Sequence, residues 1–91
     1  MNPAVVDNVE LKRFELTEQG LTAFADYRLN GSTLTLPHVE APLPLRGKGT
    51  AGRLMTGVLE LARARGLKVI PSCPYARAFI HRHPEYQDLL A

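Results

Sequence analysis

A glycine-rich turn with two basic residues is the part of this sequence best suited to bind a ligand. It reads Arg46-Gly47-Lys48-Gly49-Thr50-Ala51-Gly52 and opens the longest helical pattern in the chain, residues 50–65. The first N–H groups of a helix lack intrahelical partners, and the helix dipole adds positive potential at the same end. The glycines let a ligand approach the backbone, while Arg46 and Lys48 supply positive charge. We therefore predict that this turn binds a pyrophosphate.

The turn also matches two nucleotide-binding patterns in part, and both fail on context. The spacing of its three glycines fits G-x-G-x-x-G, but a dinucleotide fold has a strand directly before the first glycine and an acidic residue about 20 positions later. Here Pro42 and Pro44 separate the turn from the preceding strand, and the next strand ends without an acidic residue nearby. A P-loop requires Ser or Thr after its Gly-Lys pair, whereas Gly49 follows Lys48.

Charge is distributed unevenly along the 91 residues. Residues 46–83 hold eight basic side chains and one acidic one, a net charge of +7, whereas residues 1–45 hold three basic and six acidic ones. The basic half is the half that carries the glycine turn, as an anionic ligand would favour. Length and composition predict one domain, residues 1–91, and no stretch is apolar enough to span a membrane.

The N-terminus and the cysteine content indicate the compartment. Met1-Asn2-Pro3 does not begin a signal peptide, because the basic and apolar regions are both missing. The single cysteine, Cys73, cannot form an internal disulfide, which fits a reducing environment. We expect a cytoplasmic protein that is a monomer or a weak dimer.

The N-terminal half is typical of an antiparallel meander. Residues 9–16 predict a strand whose alternation changes parity near Lys12-Arg13, which indicates a bulge. Residues 21–29 alternate well and predict the second strand.

Asn30-Gly31 predicts a two-residue hairpin turn into the third strand. The resulting register pairs Tyr27 with Leu34 on the apolar face. It also places His38 opposite Ala23 on that face, as a structural histidine rather than a base, unless the preceding proline shifts the pairing.

The C-terminal half predicts a crossover unit. Residues 50–65 carry one apolar stripe at helical spacing, and residues 67–70 form a short apolar strand after them. A strand on each side of a helix indicates a parallel pair joined by a crossover. A second helix, residues 74–83, begins with a proline and is terminated by Pro84.

Three segments resemble the GCN5-related N-acetyltransferases. Arg46-x-x-Gly49-x-Ala51 matches the R/Q-x-x-G-x-G/A motif with which that family holds the pyrophosphate of acetyl-coenzyme A. His38-Val39-Glu40-Ala41-Pro42 precedes the motif, and Val69-Ile70-Pro71-Ser72-Cys73-Pro74-Tyr75 with Arg82-His83-Pro84-Glu85-Tyr86 follow it. Together the segments span residues 38–86 and are similar to the small, single-domain branch of the family.

The resemblance implies an α/β (α+β) fold with a mixed sheet. An antiparallel meander would be followed by β-α-β-α, and the central strand pair would splay apart. The pantetheine arm would lie in the splay and hydrogen-bond to the main chain of residues 39–41. The residues implied to bind the cofactor are Val39, Glu40, Ala41, Arg46, Gly47, Lys48, Gly49, Thr50, Ala51, Pro74 and Tyr75.

The same resemblance implies three candidate catalytic residues, Glu40, Tyr75 and Cys73. In the family the amine usually attacks directly, with Glu or water as base and often a Tyr as acid. Glu40 is the candidate base, or else an exposed strand carboxylate; Tyr75 is the candidate acid, or else a packing side chain. Cys73 precedes a helix, which favours its thiolate and permits an acetyl-cysteine intermediate or an acid role; otherwise it is a small buried residue.

We therefore predict an N-acetyltransferase that moves an acetyl group from acetyl-coenzyme A to an amine, on a small molecule or a protein lysine. The alternative is a non-catalytic module that binds coenzyme A or acyl-coenzyme A. A nucleic-acid binder would use the basic half, but interleaved aromatic residues are missing. No nucleic acid or membrane is expected as a partner. No metal site is expected either, since His81 and His83 lie on different helix faces.

Overall fold

The computed structural model describes residues 5–91, so the signal-peptide prediction concerns residues outside it. The described chain forms one five-stranded sheet in the order β1-β2-β3-β4-β5. The strands are β1 (Val6–Asn8), β2 (Arg13–Glu18), β3 (Leu21–Asn30), β4 (Thr33–Glu40) and β5 (Lys68–Ile70). The helices are α1 (Thr50–Ala64) and α2 (Pro74–Arg82), and short 3-10 turns cover Leu43–Leu45 and Pro84–Leu89. Strands β1 to β4 pair antiparallel and β4–β5 parallel, which confirms the predicted mixed-sheet fold class.

The first predicted strand is in fact two. Residues 9–12 form a tight turn between β1 and β2, in which the N–H of Lys12 donates to the carbonyl of Val9 at 3.3 Å. Lys12 adopts a left-handed φ of 52°. The predicted bulge was therefore wrong. A chain reversal at residues 9–12 produces the same change in the alternation of apolar residues.

The β3–β4 hairpin turns one residue later than predicted. Leu29 pairs with Leu34, so the two turn residues are Gly31 and Ser32. Gly31 takes the left-handed conformation that the turn needs, with φ 61°. The predicted pairing of Tyr27 with Leu34 was wrong by two residues, but an even shift leaves the side chains between the turn and Pro37 on their predicted face.

A register shift near Pro37 reverses the faces at the end of β4. The shift lies between Asp26 and Arg28 of β3, where β4 contains one extra residue. Proline has no N–H to donate to the ladder, so a bulge is favoured at this position. His38 consequently pairs with Asp26 and is exposed. Its predicted place opposite Ala23 on the apolar face was wrong. The alternative stated for the sequence, a shift of the pairing by the preceding proline, is the one that the structure shows.

Strands β4 and β5 separate after three paired positions. Their parallel pairing ends with Thr35 and Ile70. One further hydrogen bond follows, from the N–H of Cys73 to the carbonyl of Leu36 at 2.9 Å. Beyond it, β4 continues with no strand neighbour on that side among the described residues. The predicted splay of the central strand pair is thus present.

The helices bury their apolar faces in one hydrophobic cluster with the sheet. The apolar stripe of α1 is buried as predicted, at Leu54, Met55, Val58, Leu59 and Ala62. Helix α2 adds Ala76, Phe79 and Ile80 to the same cluster. No helix within residues 5–91 is long and apolar enough to cross a membrane.

Gly57 of α1 leaves the space that the side chain of Val5 fills. A Cβ at position 57 would overlap the Cβ and Cγ2 atoms of Val5, which is packed against the core. We expect Gly57→Ala to lower the unfolding free energy by about 1–2 kcal/mol, because overpacking outweighs the gain in helix propensity. Chemical denaturation without ligand measures this.

Gly52→Ala is the matched control in the same helix. A Cβ there would meet only Phe79 at 3.8 Å and the hydroxyl of Tyr75 at 3.9 Å, which are ordinary contacts. We expect Gly52→Ala to raise the unfolding free energy by up to about 1 kcal/mol. Equal effects of the two substitutions would contradict the Val5 argument.

Candidate active site

The glycine turn presents a set of unpartnered main-chain N–H groups. Gly47 and Gly49 adopt left-handed φ angles of 78° and 80°, which bend the chain sharply into α1. Gly49 is the N-cap of α1, and no side chain caps it. Within residues 5–91, hydrogen-bond acceptors are missing for the N–H groups of Gly47, Gly49, Thr50, Ala51 and Gly52. The turn therefore has the donors that an anion requires.

Two adjoining grooves lead from the end of β4 to this turn. The first, about 330 Å³, is bordered by His38, Val39, Glu40, Ala41, Arg46, Ala51 and Tyr75. The second, about 230 Å³, is bordered by Ala41, Leu45, Arg46, Gly47, Gly49, Thr50, Ala51, Gly52 and Tyr75. Four residues border both, so the splayed strand and the glycine turn face one continuous channel. Most of the predicted cofactor residues lie along it.

The two predicted cations of the turn differ in their contacts. Arg46 is exposed and its Nε donates to the carbonyl of Ala41 at 3.2 Å; both residues border both grooves. Lys48 is exposed and forms no ion pair with any described residue. Both charges lie near the unpartnered N–H groups and add to the positive potential there.

Glu18 fastens the start of α1 to the end of β2. Its Oε1 accepts from the hydroxyl of Thr50 at 2.6 Å and from Nη2 of Arg53 at 2.8 Å, and its Oε2 accepts from Nε of Arg53 at 2.7 Å. Thr50 is 1% exposed, and its hydroxyl is already used as a donor to Glu18. Glu18 belongs to none of the sequence motifs. No local pattern reveals a contact with residues 32 and 35 positions away.

Stability should fall as the pH drops through the titration of Glu18. The hydrogen bond from Arg53, then that from Thr50, lowers the pKa of this carboxyl from 4.5 to about 2. A depressed pKa means that Glu18 stabilises the fold above its unfolded pKa, and that this contribution is lost as the pH falls from about 4.5 towards 2. We expect Glu18→Gln to flatten the pH dependence of the unfolding free energy in that window. Urea titrations at several pH values measure the difference, and parallel curves would contradict it.

His38 and Glu40 form a pair at the strand end of the channel. His38 Nε2 lies 2.9 Å from Oε1 of Glu40, and both side chains are about half exposed. The ring of His38 lies 6.1 Å from that of Phe24, which pairs with Glu40 across the sheet. The sequence did not predict His38 at the site, because its place there depends on the bulge at Pro37.

Tyr75 and Cys73, at the start of α2, have different surroundings. Tyr75 is partly buried and borders both grooves, and burial raises the pKa of its phenol above 10.0. Cys73 is the N-cap of α2, is 6% exposed and belongs to the hydrophobic cluster. Neither Cys73 nor Pro74 borders either groove.

His83, the residue that follows α2, does not take part in a metal site. Nδ1 of His83 lies 2.7 Å from the carbonyl of Phe79, and the two rings stack with centroids 3.9 Å apart. No group of three or more His, Cys, Asp or Glu side chains suited to a metal ion occurs within residues 5–91.

A mixed sheet whose strands β4 and β5 part beside a helix start with unpartnered N–H groups places this chain among the small α/β proteins. The family model for GCN5-related N-acetyl-transferases matches residues 13–89, and the chain belongs to that family. It is accordingly an acetyltransferase. The comparison with curated proteins gave no match. Among solved structures, the NMR structure of a GCN5-like protein from Staphylococcus aureus is similar, with a TM-score of 0.69 and 25% identity. The match covers 99% of this chain and 89% of that one.

Proposed function

We propose that the protein transfers an acetyl group from acetyl-coenzyme A to a primary amine. The observation that carries this proposal is the continuous channel between the unpartnered N–H groups at the start of α1 and the His38–Glu40 pair. A ligand with a diphosphate at one end and a thioester at the other fits such a channel. The family's use of acetyl-coenzyme A agrees with it.

The diphosphate would bind at the glycine turn. Its oxygens would accept hydrogen bonds from the N–H groups of residues 47 and 49–52, with Lys48 and Arg46 as counter-charges. The pantetheine arm would run along residues 39–41 on the side of β4 that β5 leaves open. There its amides would take the place of a neighbouring strand.

Transfer would proceed by direct attack at the strand end of the channel. Glu40, with His38 beside it, would take a proton from the ammonium, and the neutral nitrogen would attack the thioester carbonyl carbon. The C–N bond forms, the C–S bond breaks, and the nitrogen would lose its second proton to water. Tyr75 would donate a proton to the leaving thiolate and regain one from water. The products are an N-acetyl amine and the thiol of coenzyme A.

Cys73 has no place in this direct route. Its thiol is buried in the hydrophobic cluster and borders neither groove. An acetyl-cysteine route would instead leave Cys73 acetylated when the protein is incubated with the donor alone. Mass spectrometry distinguishes the two routes, and we expect no acetylation of Cys73.

Thermal unfolding with acetyl-coenzyme A tests the proposed function without knowledge of the acceptor. At about 100 times its Kd, the donor should stabilise the fold by about 2.7 kcal/mol, which raises Tm by roughly 10 °C for a domain of this size. S-acetylpantetheine, which lacks the diphosphate, should have a much smaller effect at the same concentration. Equal shifts with both compounds would remove the glycine turn from the binding site.

A further inference from the structure

The carboxylate of Glu18 reaches the glycine turn through Arg53. Nη2 of Arg53 donates to Oε1 of Glu18 at 2.8 Å and also to the carbonyl of Lys48 at 2.9 Å. A second bond, from Nε to the other carboxylate oxygen at 2.7 Å, makes the ion pair bidentate and limits rotation of the guanidinium. The carboxylate of Glu18 therefore determines where Arg53 holds the Lys48 carbonyl.

The orientation of that carbonyl determines the orientation of one N–H in the binding site. The peptide unit between Lys48 and Gly49 is trans and planar, so its C=O and N–H point in opposite directions. Because the carbonyl is drawn towards Arg53, the N–H of Gly49 points away from Arg53. Gly49 borders the channel, and its N–H lacks a partner within the described residues.

Arg53 is packed closely enough to restrain this peptide. A Cβ at Gly49 would lie only 3.0 Å from Nη1 of Arg53, so the guanidinium rests against the backbone of the turn. Gly49 has a φ of 80°, a conformation that glycine tolerates but does not by itself enforce. The restraint on the Gly49 backbone must come from a neighbouring side chain, and Arg53 contacts this backbone.

We propose that Glu18 is a positioning residue for diphosphate binding, and that it acts through Arg53 to aim the Gly49 N–H into the channel. This inference rests on the proposed function. It assigns a role in ligand binding to the last residue of β2, which borders neither groove. The neutralisation of Arg53 by Glu18 also means that Arg53 orients the turn rather than serving as a free cation for the phosphates.

Ligand truncation separates positioning from a general loss of structure. ¹⁵N-labelled wild-type protein and Glu18→Gln are titrated with coenzyme A and, separately, with pantetheine. We expect Glu18→Gln to weaken coenzyme A binding about tenfold, which corresponds to one hydrogen bond to a charged group, and to leave the Kd of pantetheine unchanged. The amide resonance of Gly49 should shift in the unliganded variant.

Asp88→Asn is the matched control, because it breaks a bidentate ion pair at the other end of α1. Asp88 accepts from Nη1 and Nη2 of Arg63 at 2.7 and 3.0 Å. This substitution should lower stability without changing either Kd. Arg53→Lys is a second test: it keeps the charge but cannot bridge Glu18 and Lys48 in the same way, so it too should weaken only coenzyme A binding.

The inference and the proposed function fail in different ways. If Glu18→Gln leaves the Kd of coenzyme A unchanged, or weakens both ligands equally, the positioning role of Glu18 is wrong while the proposed function stands. If wild-type protein does not prefer coenzyme A to pantetheine, the diphosphate site itself is wrong, and the inference falls with it.

Discussion

Replacement of Glu40 with Gln is expected to lower kcat by about a hundred- to ten-thousandfold, the usual contribution of a general base. Its carboxylate borders the channel and is within hydrogen-bonding distance of Nε2 of His38. An amide has nearly the same shape but cannot accept the proton of the acceptor ammonium. Binding of the donor should change little, because the diphosphate contacts lie at the other end of the channel. Release of free thiol from acetyl-coenzyme A, with a panel of polyamines and lysine peptides, measures the rate.

Glu15→Gln is the matched control for this experiment. Glu15 and Glu40 both pair with Phe24 in the sheet register, one from each neighbouring strand, and so lie on the same face. Glu15 is bonded to Arg13 at 2.6 Å and borders neither groove. Its substitution should leave kcat within about twofold of wild type. If the protein binds the donor, but neither substitution changes the rate of thiol release, the result would favour the non-catalytic coenzyme A-binding module.

Replacement of Tyr75 with Phe should also reduce kcat by about a hundredfold or more, because the leaving thiolate would lose its proton donor. Burial raises the pKa of this phenol, so Tyr75 remains protonated, and competent as an acid, up to a pH above 10.0. The activity that depends on Tyr75 should therefore be lost only above that pH. Comparison of the alkaline pH–rate profiles of wild type and Tyr75→Phe measures this.

Tyr86→Phe is the matched control, because it removes a phenol hydroxyl from a residue that does not border the channel. Tyr86 is buried and donates to Glu60 at 2.8 Å, and burial raises its pKa to about 12. Its loss should reduce stability and leave kcat unchanged. If Tyr75→Phe behaves in the same way as Tyr86→Phe, then Tyr75 is a packing residue and another group protonates the thiolate.

The features that the sequence predicted well depend on residues that are close together in the chain. The apolar stripe of α1 and its start at Thr50 follow from helical spacing and from the glycines that precede the helix. The place of the glycine turn directly before α1 was therefore predictable, and its binding of an anion stays a prediction. Along the channel, the structure brings together Val39, Glu40, Ala41, Arg46, Ala51 and Tyr75 as the sequence analysis proposed, and their roles remain predictions.

The errors of the sequence analysis all concern how one segment meets another. A change of parity before β2 looked like a bulge and was a chain reversal, and the hairpin register was displaced by two residues. His38 was expected on the apolar face, whereas the bulge at Pro37 turns it towards Glu40. Each of these outcomes depends on which N–H and C=O groups of a neighbouring strand are available for pairing. The residues of one strand do not determine this.

The sequence by itself determined the glycine turn at the start of α1, a mixed sheet and a family, because glycine, proline and apolar spacing act on their immediate neighbours. Only the tertiary structure brought Glu18 to Arg53 and Thr50, placed His38 beside Glu40, and buried Cys73 in the core. The physical reason is that such contacts join residues far apart in the chain, and their geometry exists only once the strands have paired and α1 has packed against them.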